Sequence, residues 1–506
     1  MVSKTENYLA IDLGAESGRA ILGSFDGQSL TLNEVHRFQN TPVQVLQGSQ
    51  QAMHWDILRL WSEIKNGISL AKKNYGQFTS LGVDTWGVDF GLLDQSGKLL
   101  ENPYHYRDSR TDGMVQEAFK RISREHIFEQ TGIQFMQINT LYQLLSMALQ
   151  KSPALEAAAT FLTIPDLLNY WLTGVKSCEF TIATTTQCYD PRKNNWAYPM
   201  LEKLNIPGSI FPNLITPGTL LGPVHASISS ELGVSDVNVI VPACHDTGSA
   251  VAAVPAENED YAWISSGTWS IMGVVVPQPF ITPESLEFNF TNEGGVSYFS
   301  QNSRQNTYRY CKNIMGLWLV QECRRTWAAH GQTYSYQELT DMAAQAAPLL
   351  ALVNPDSDDF LKPGDMPARI QAYCARTSQA IPETPGAIVR CAAESLALKY
   401  RRVLEQMEIT IGKHLDPIHI IGGGSQNQLL DQLTADCTNR RVVTGPVEAT
   451  AVGNILVQAL ALGHLSSIDD VRSVVKHSFT PGFYSPKPGG SWDEAYKRFL
   501  DLEKLP

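Results

Sequence analysis

The stretch Ile11-Asp12-Leu13-Gly14-Ala15-Glu16-Ser17-Gly18-Arg19, IDLGAESGR, lies between the apolar runs YLAI and AILG. A strand that ends on an aspartate, passes through two glycines and resumes at a serine and an arginine is a hairpin whose turn exposes backbone N–H groups. Successive N–H groups in a tight turn form an anion-holding concavity, and glycine lets a ligand approach the backbone closely. Asp12 adds a carboxylate at the strand end, suited to hold the hydration shell of Mg²⁺, which is bound through one or two carboxylates plus phosphate oxygens. Taken alone, a Gly/Ser hairpin is ordinary turn chemistry and a strand-end aspartate is a turn former.

Outward from this stretch, the pattern from Tyr8 predicts a β-meander: a strand, the glycine turn, a strand from Arg19 to Phe25, the turn Asp26-Gly27, and a third strand ending near Phe38. Ile57, Leu60, Trp61, Ile64 and Ile68 then recur at helical spacing behind Asp56, a predicted N-cap, and Leu81 to Asp84 reads as a short strand. A related order begins again after the polar linker 253–260. YAWISSGTWSIMGVVV is again strand, Ser/Gly/Thr turn, strand; a long amphipathic helix (Ala387 to Met407) and a strand (Pro417 to Ile421) ending in three glycines follow. The reading is therefore α/β, in two similar halves, 1–254 and 255–506.

Composition is that of a soluble globular protein. Of 506 residues 43% are hydrophobic and 18% charged, and no apolar run reaches the roughly 18 residues that span a bilayer. The N-terminal residues lack a basic segment followed by an apolar one, so the expectation is a cytoplasmic protein without membrane partners. A net charge of −12 argues against a nucleic-acid partner, which needs a basic surface. Eight cysteines without a CxxC pair suggest neither zinc nor a disulfide framework, and reduced thiols are expected.

No GxxxxGK[ST] occurs, so nucleotide binding must use another design. Two matched Gly/Ser/Thr hairpins supply one, and IIGGGSQN (420–427) offers a flat glycine surface for an adenosine, with Gln426 and Asn427 beside it. ACHDTGSA (243–250) follows an apolar strand and sets His245, Asp246 and Thr247 side by side. One His and one Asp make a poor metal site. A carboxylate that accepts a hydroxyl proton as the oxygen attacks phosphorus is the sharper reading, beside the plain one that Asp246 caps a helix beginning at GSAVAA. In VDTWGVDF (83–90), Trp86 and Gly87 suit a sugar contact, although a strand-end tryptophan also serves as core.

In series, IDLGAESGR, VDTWGVDF, YRDSRT, ACHDTGSA, ISSGTWS, KNIMGLW and IIGGGSQN resemble the motifs of the FGGY carbohydrate kinases. DTWGVDF, GIQF, NTLYQL, TTTQ, HDT, TNEGG and KNIMGLWL are similar to those of the rhamnulokinase branch. The resemblance runs over nearly the whole chain and implies two actin-like ATPase (ribonuclease H-like) domains with sugar and ATP in a cleft between them, phosphorylating L-rhamnulose at C1. By the same resemblance Asp246 is the proton acceptor. Gly87, His245, Asp246, Thr247 and Asn313 contact the sugar, and Ala15, Glu16, Ser17, Gly18, Arg19, Thr268, Gln321 and Gly423 contact ATP. Asp12 faces Mg²⁺ through water. A monomer or homodimer is expected. Another ketose such as L-fuculose or L-xylulose, or a non-catalytic sugar-binding protein on the same fold, are the alternatives.

Overall fold

The computed structural model describes residues 5–296, 298–300, 303–489 and 491–505. The chain forms two compact units that do not follow it end to end. The first unit gathers Met1–Pro255, Val275–Tyr310 and Ala449–Phe479; the second gathers Ala256–Val274, Cys311–Glu448 and Thr480–Pro506. The sequence reading places residues 275–310 and 449–479 in the second half, whereas both pack with the first unit.

In the first unit a six-stranded sheet runs in the order Thr219–Pro223, Asn238–Val241, Ser80–Thr85, β1 (Glu6–Leu13), β2 (Ser17–Phe25), β3 (Leu30–Gln39). The meander β1–β2–β3 is antiparallel, while β1 pairs in parallel with Ser80–Thr85. Strands covered on both faces read as unbroken apolar runs, and the last six residues of β1 and all of Ser80–Thr85 are buried. One cover is the helix α1 (Ile57–Tyr75), whose Ile57, Leu60, Ile64, Ile68 and Ala71 form the buried stripe; Asp56 caps it by accepting from the Arg59 N–H. These residues share a core with Leu9, Ile11, Leu13, Trp55, Leu81 and Val83. The other cover is the helix Ala449–Ala461, nearly every residue of which is buried.

The second unit repeats the arrangement. Ala262–Ser266 and Trp269–Val276 form an antiparallel hairpin, and the first of these strands pairs in parallel with Ile418–Ile421, which continues to Val442–Thr444 and Gly482–Tyr484. The long helix is Pro385–Ile411, capped by Thr384. The architectural repeat expected from the sequence is thus present as a hairpin whose first strand continues into a parallel sheet. All eight cysteines are buried free thiols, and among the described residues no helix is long and apolar enough to cross a membrane.

Candidate active site

The first hairpin turn is closed by Gly14 N–H donating to the Ser17 carbonyl at 2.9 Å. Asn40 reinforces it, its backbone N–H on the Glu16 carbonyl and its side-chain amide on the Gly14 carbonyl, both at 2.9 Å. The two glycines have different reasons. A Cβ on Gly14 would meet only the Ser17 carbonyl, at 3.4 Å, so this face of the turn is open; a Cβ on Gly18 would collide with the Phe38 ring and Leu13. Gly18 is therefore fixed by packing against β3. Ala15, Glu16, Ser17 and Arg19 complete the turn, and the Arg19 guanidinium donates to Asp12 Oδ2 at 2.5 Å.

The parallel pairing of β1 with Ser80–Thr85 sets Asp12 directly opposite Asp84. Both runs, YLAID and SLGVD, end on an aspartate, which is the sequence signal that would have identified the pair. Burial raises the Asp84 carboxyl well above the usual range and the Asp12 charge adds to it; Asn454 opposes this by donating to Asp84 Oδ2 at 2.5 Å. Neighbouring hard oxygen donors fit a hydrated Mg²⁺ ion, and among the described residues no three His, Cys, Asp or Glu side chains converge as a metal cage. Any such ion would complete its shell with water and phosphate oxygens.

From this strand end the chain reaches the sugar-side candidates. The Thr85 N–H donates to the Cys244 carbonyl at 2.9 Å, which brings ACHDTGSA alongside. His245, rather than Asp246, occupies the N-cap position of the helix Asp246–Ala252. The reading of Asp246 as the cap is corrected accordingly: it is the first helical residue, and its Oδ1 accepts from the Thr247 N–H at 2.5 Å and the Thr247 hydroxyl at 3.1 Å. Burial raises the Asp246 carboxyl above its ordinary range, His245 draws it back, and Asp12 pushes it up again. His245 Nε2 lies 3.5 Å from Asp246 Oδ1.

A second element, missed in the sequence, organises the site. The helix Phe180–Thr185 carries Thr181, Thr184 and Thr185 at i, i+3 and i+4, hence on one face. Thr181 Oγ accepts from the His245 N–H at 3.1 Å and donates to Glu179 Oε2 at 2.6 Å; Thr185 Oγ accepts from the Val88 N–H at 3.2 Å. Glu179 also receives the Cys244 N–H at 3.0 Å, and burial lifts its carboxyl to about 7. Gly87 sits between these groups: a Cβ there would lie 3.2 Å from Thr185 Oγ and 3.4 Å from His245 Nε2. The next residue, Val88, holds φ at 69°, a strained value for a β-branched side chain. Trp86 is 4% exposed, its ring lies 4.1 Å from that of Trp55 at a tilt of 39°, and it donates to Asp89 at 3.0 Å, so it is part of the core.

Thr268, Asn313, Gln321 and Gly423 belong to the second unit. The Thr268 carbonyl accepts from the N–H groups of Gly316 and Trp318, both at 3.2 Å, which ties the second hairpin turn to the start of the helix Trp318–Ala329. Gln321 lies one turn into that helix, its Oε1 buried without a hydrogen-bond partner among the described residues. Asn313 is on the strand Tyr308–Met315. Of the three glycines after Ile421, Gly422 needs its φ of 83° and a Cβ on Gly424 would collide with Ser266; only Gly423 faces open space. Asn427 spends its side-chain oxygen on capping the helix Gln428–Thr438, accepting from Leu430 N–H at 3.2 Å.

Comparison with known proteins agrees with this architecture. Residues 7–253 match the N-terminal domain, and residues 262–462 the C-terminal domain, of the FGGY family of carbohydrate kinases. The chain is 42% identical over 494 residues to a rhamnulokinase of Bacteroides thetaiotaomicron, covering 98% of this chain and 99% of that one, and 43% identical over 471 residues to a rhamnulokinase of Oceanobacillus iheyensis, covering 93% and 96%. In fold it is similar to a gluconate kinase from Lactobacillus acidophilus (TM-score 0.79, 18% identity, 99% and 98% covered) and to Plasmodium falciparum glycerol kinase with ADP (TM-score 0.76, 18% identity, 99% and 97% covered). With both halves matched in order and near-full-length relatives far above chance identity, the chain belongs to the FGGY family of carbohydrate kinases.

Proposed function

We propose that this kinase transfers the γ-phosphoryl group of ATP to the C1 hydroxyl of L-rhamnulose, giving L-rhamnulose 1-phosphate and ADP. The observation that carries the sugar assignment is the 42% identity to a rhamnulokinase over 98% of the chain; the fold alone does not choose among sugars. Asp246 is the proton acceptor. Its Oδ1 is engaged by Thr247, so Oδ2 takes the hydroxyl proton as the sugar oxygen attacks phosphorus. A carboxyl with raised proton affinity suits that role. Gly87, His245, Thr247 and Asn313 contact the sugar. Residues Ala15–Arg19 and the turn at Thr268 bind the phosphates and oppose the charge that builds on the transferring group, with Gln321 and Gly423 contacting the nucleotide. Asp12 would hold Mg²⁺ through water, where the ion would neutralise charge on phosphate oxygens. Free sugar and ATP as the sole partners fit a cytoplasmic enzyme acting as monomer or homodimer.

The test is ADP production by the purified protein across a ketose panel containing L-rhamnulose, L-fuculose, L-xylulose and D-xylulose. L-Rhamnulose is expected to give the highest kcat/KM. A higher value for another ketose would reassign the substrate, and no turnover with any of them would remove the kinase reading.

A further inference from the structure

We propose that Glu293 and Arg309 are positioning residues that fix the His245 ring, presenting Nε2–H toward Asp246 and the sugar. The proposal rests on the assignment of Asp246 as proton acceptor.

Arg309 is fully buried and Glu293 is 4% exposed. Burying an ion pair costs several kcal/mol per charge before its attraction is counted, so a buried pair is weak evidence of stabilisation and calls for another reason. The reason is where the pair points. Arg309 Nε donates to the Gly294 carbonyl at 2.8 Å, a purely structural bond. Its Nη2 lies 3.0 Å from His245 Nδ1 and 3.1 Å from Glu293 Oε2, and Glu293 Oε2 lies 3.1 Å from the same Nδ1. A guanidinium donor and a carboxylate acceptor thus converge on one ring nitrogen.

The main chain of His245 does not need them. Its N–H is already held by Thr181, which is anchored in turn on Glu179. The strand Thr291–Gly294 does not need them either, since Gly294 N–H donates to Thr184 Oγ at 2.8 Å and Asn292 is tied to Gly132. What Glu293 and Arg309 add at His245 is control of the imidazole torsion and of the position of its proton. A neutral imidazole has one donor and one acceptor nitrogen, and the partner at one nitrogen selects the state of the other. Before transfer Asp246 is an anion 3.5 Å from Nε2. A lone pair at Nε2 would repel it, whereas Nε2–H attracts it. At Nδ1 the recorded hydrogen bond is to Arg309, and because a guanidinium N–H can only donate, Nδ1 accepts and the proton lies on Nε2, with Glu293 balancing the guanidinium charge.

Two arms test this in the full-length protein. In the first, ¹⁵N-histidine NMR, with His245 assigned by its loss in His245→Asn, reads the tautomer without reference to any substrate. The expected wild-type state is Nε2–H, and Arg309→Lys, which removes the guanidinium donor from Nδ1, should mix it with the Nδ1–H form. An Nδ1–H wild type, or unchanged His245 shifts in Arg309→Lys, would overturn the proposal. In the second arm, Glu293→Gln, which keeps shape and loses charge, should lower kcat with L-rhamnulose by about 10- to 100-fold, the scale of a small misplacement of a reacting group. KM for ATP should change less than threefold, and the thermal melt should remain cooperative. In the His245→Asn background the same substitution should cost less than threefold, because its effect passes through the ring. An equal loss in both backgrounds would mean a merely structural pair. Should Arg309→Lys fail to fold, the wild-type tautomer carries the first arm and Glu293→Gln the second. Failure of the ketose panel with the expected NMR result would overturn the function reading and leave the positioning intact.

Discussion

At the scale of single residues, the site turns on what each carboxylate is paired with. Asp246→Asn keeps the shape and the contact with Thr247 but cannot take a proton, so kcat should fall by about 10²- to 10⁴-fold while calorimetric ATP affinity stays near wild type. Near-normal turnover would remove Asp246 from the mechanism. Asp431 presents a different case: it is fully buried in the helix Gln428–Thr438, neither carboxylate oxygen has a hydrogen-bond partner among the described residues, and burial pushes its carboxyl up to about 8. A raised folded value means the folded state holds the proton more tightly than the unfolded chain. The contribution is then complete below about pH 4 and is lost as the pH rises toward 8, with a slope of at most about 1.4 kcal/mol per pH unit. Asp431→Asn should flatten the fall in Tm between pH 5.5 and 8 and give a higher Tm than wild type at pH 8. Parallel Tm curves for the two proteins would contradict this. Asp246 and His245 are legible as adjacent chemistry in one short motif. Asp431 is not, because in QLLDQLTAD an aspartate reads as part of the polar, solvent-facing side of an amphipathic helix.

At the scale of elements, the hairpins, α1 and the long helix are legible because their signals are local: periodicity, a capping residue and glycine at a turn. What those local signals do not carry is why a glycine is present. IIGGGSQN reads as three equivalent glycines, yet one meets a backbone angle, one a neighbouring serine, and only Gly423 faces open space. Two substitutions separate these roles. Gly424→Ala forces a Cβ onto Ser266 and should destabilise the protein by about 1–3 kcal/mol in urea unfolding, as overpacking does. Gly423→Ala should leave the unfolding midpoint unchanged while raising KM for ATP severalfold, if the nucleotide lies against this glycine. A destabilised Gly423→Ala, or one with unaltered KM, would place the nucleotide contact elsewhere on the loop. The helix Phe180–Thr185 escaped the sequence reading for a related reason. A six-residue helix has too few turns for periodicity to speak, and its threonines acquire meaning only when Gly87, His245 and Gly294 arrive from distant parts of the chain.

At the scale of the whole molecule, the linear order of motifs gives two halves, but the compact units exchange segments. The helix Ala449–Ala461, ATAVGNILVQALA, is apolar almost all round, so its sequence announces burial without naming a partner. In the first unit it supports the acidic strand ends from below. Asn454 donates to Asp84, and Gln458 accepts from Ser80 and donates to the Leu9 carbonyl at 3.1 Å. Gly453 lets this helix approach the one that carries Asp246, for a Cβ at 453 would collide with the Ser249 carbonyl. Because the obstacle is backbone rather than a flexible side chain, relief requires one helix to move. Gly453→Ala should therefore shift Asp246–Ala252 as a body, lowering Tm by several degrees and kcat by at least tenfold, although residue 453 touches neither proposed substrate. The loss in kcat should exceed what the unfolded fraction at the assay temperature explains, and it should persist at saturating ketose, since a displaced base is not repaired by more substrate. A variant with reduced Tm but full kcat at 15 °C would show that the packing at Gly453 sustains the fold alone, and that the helix bearing Asp246 keeps its place by other contacts.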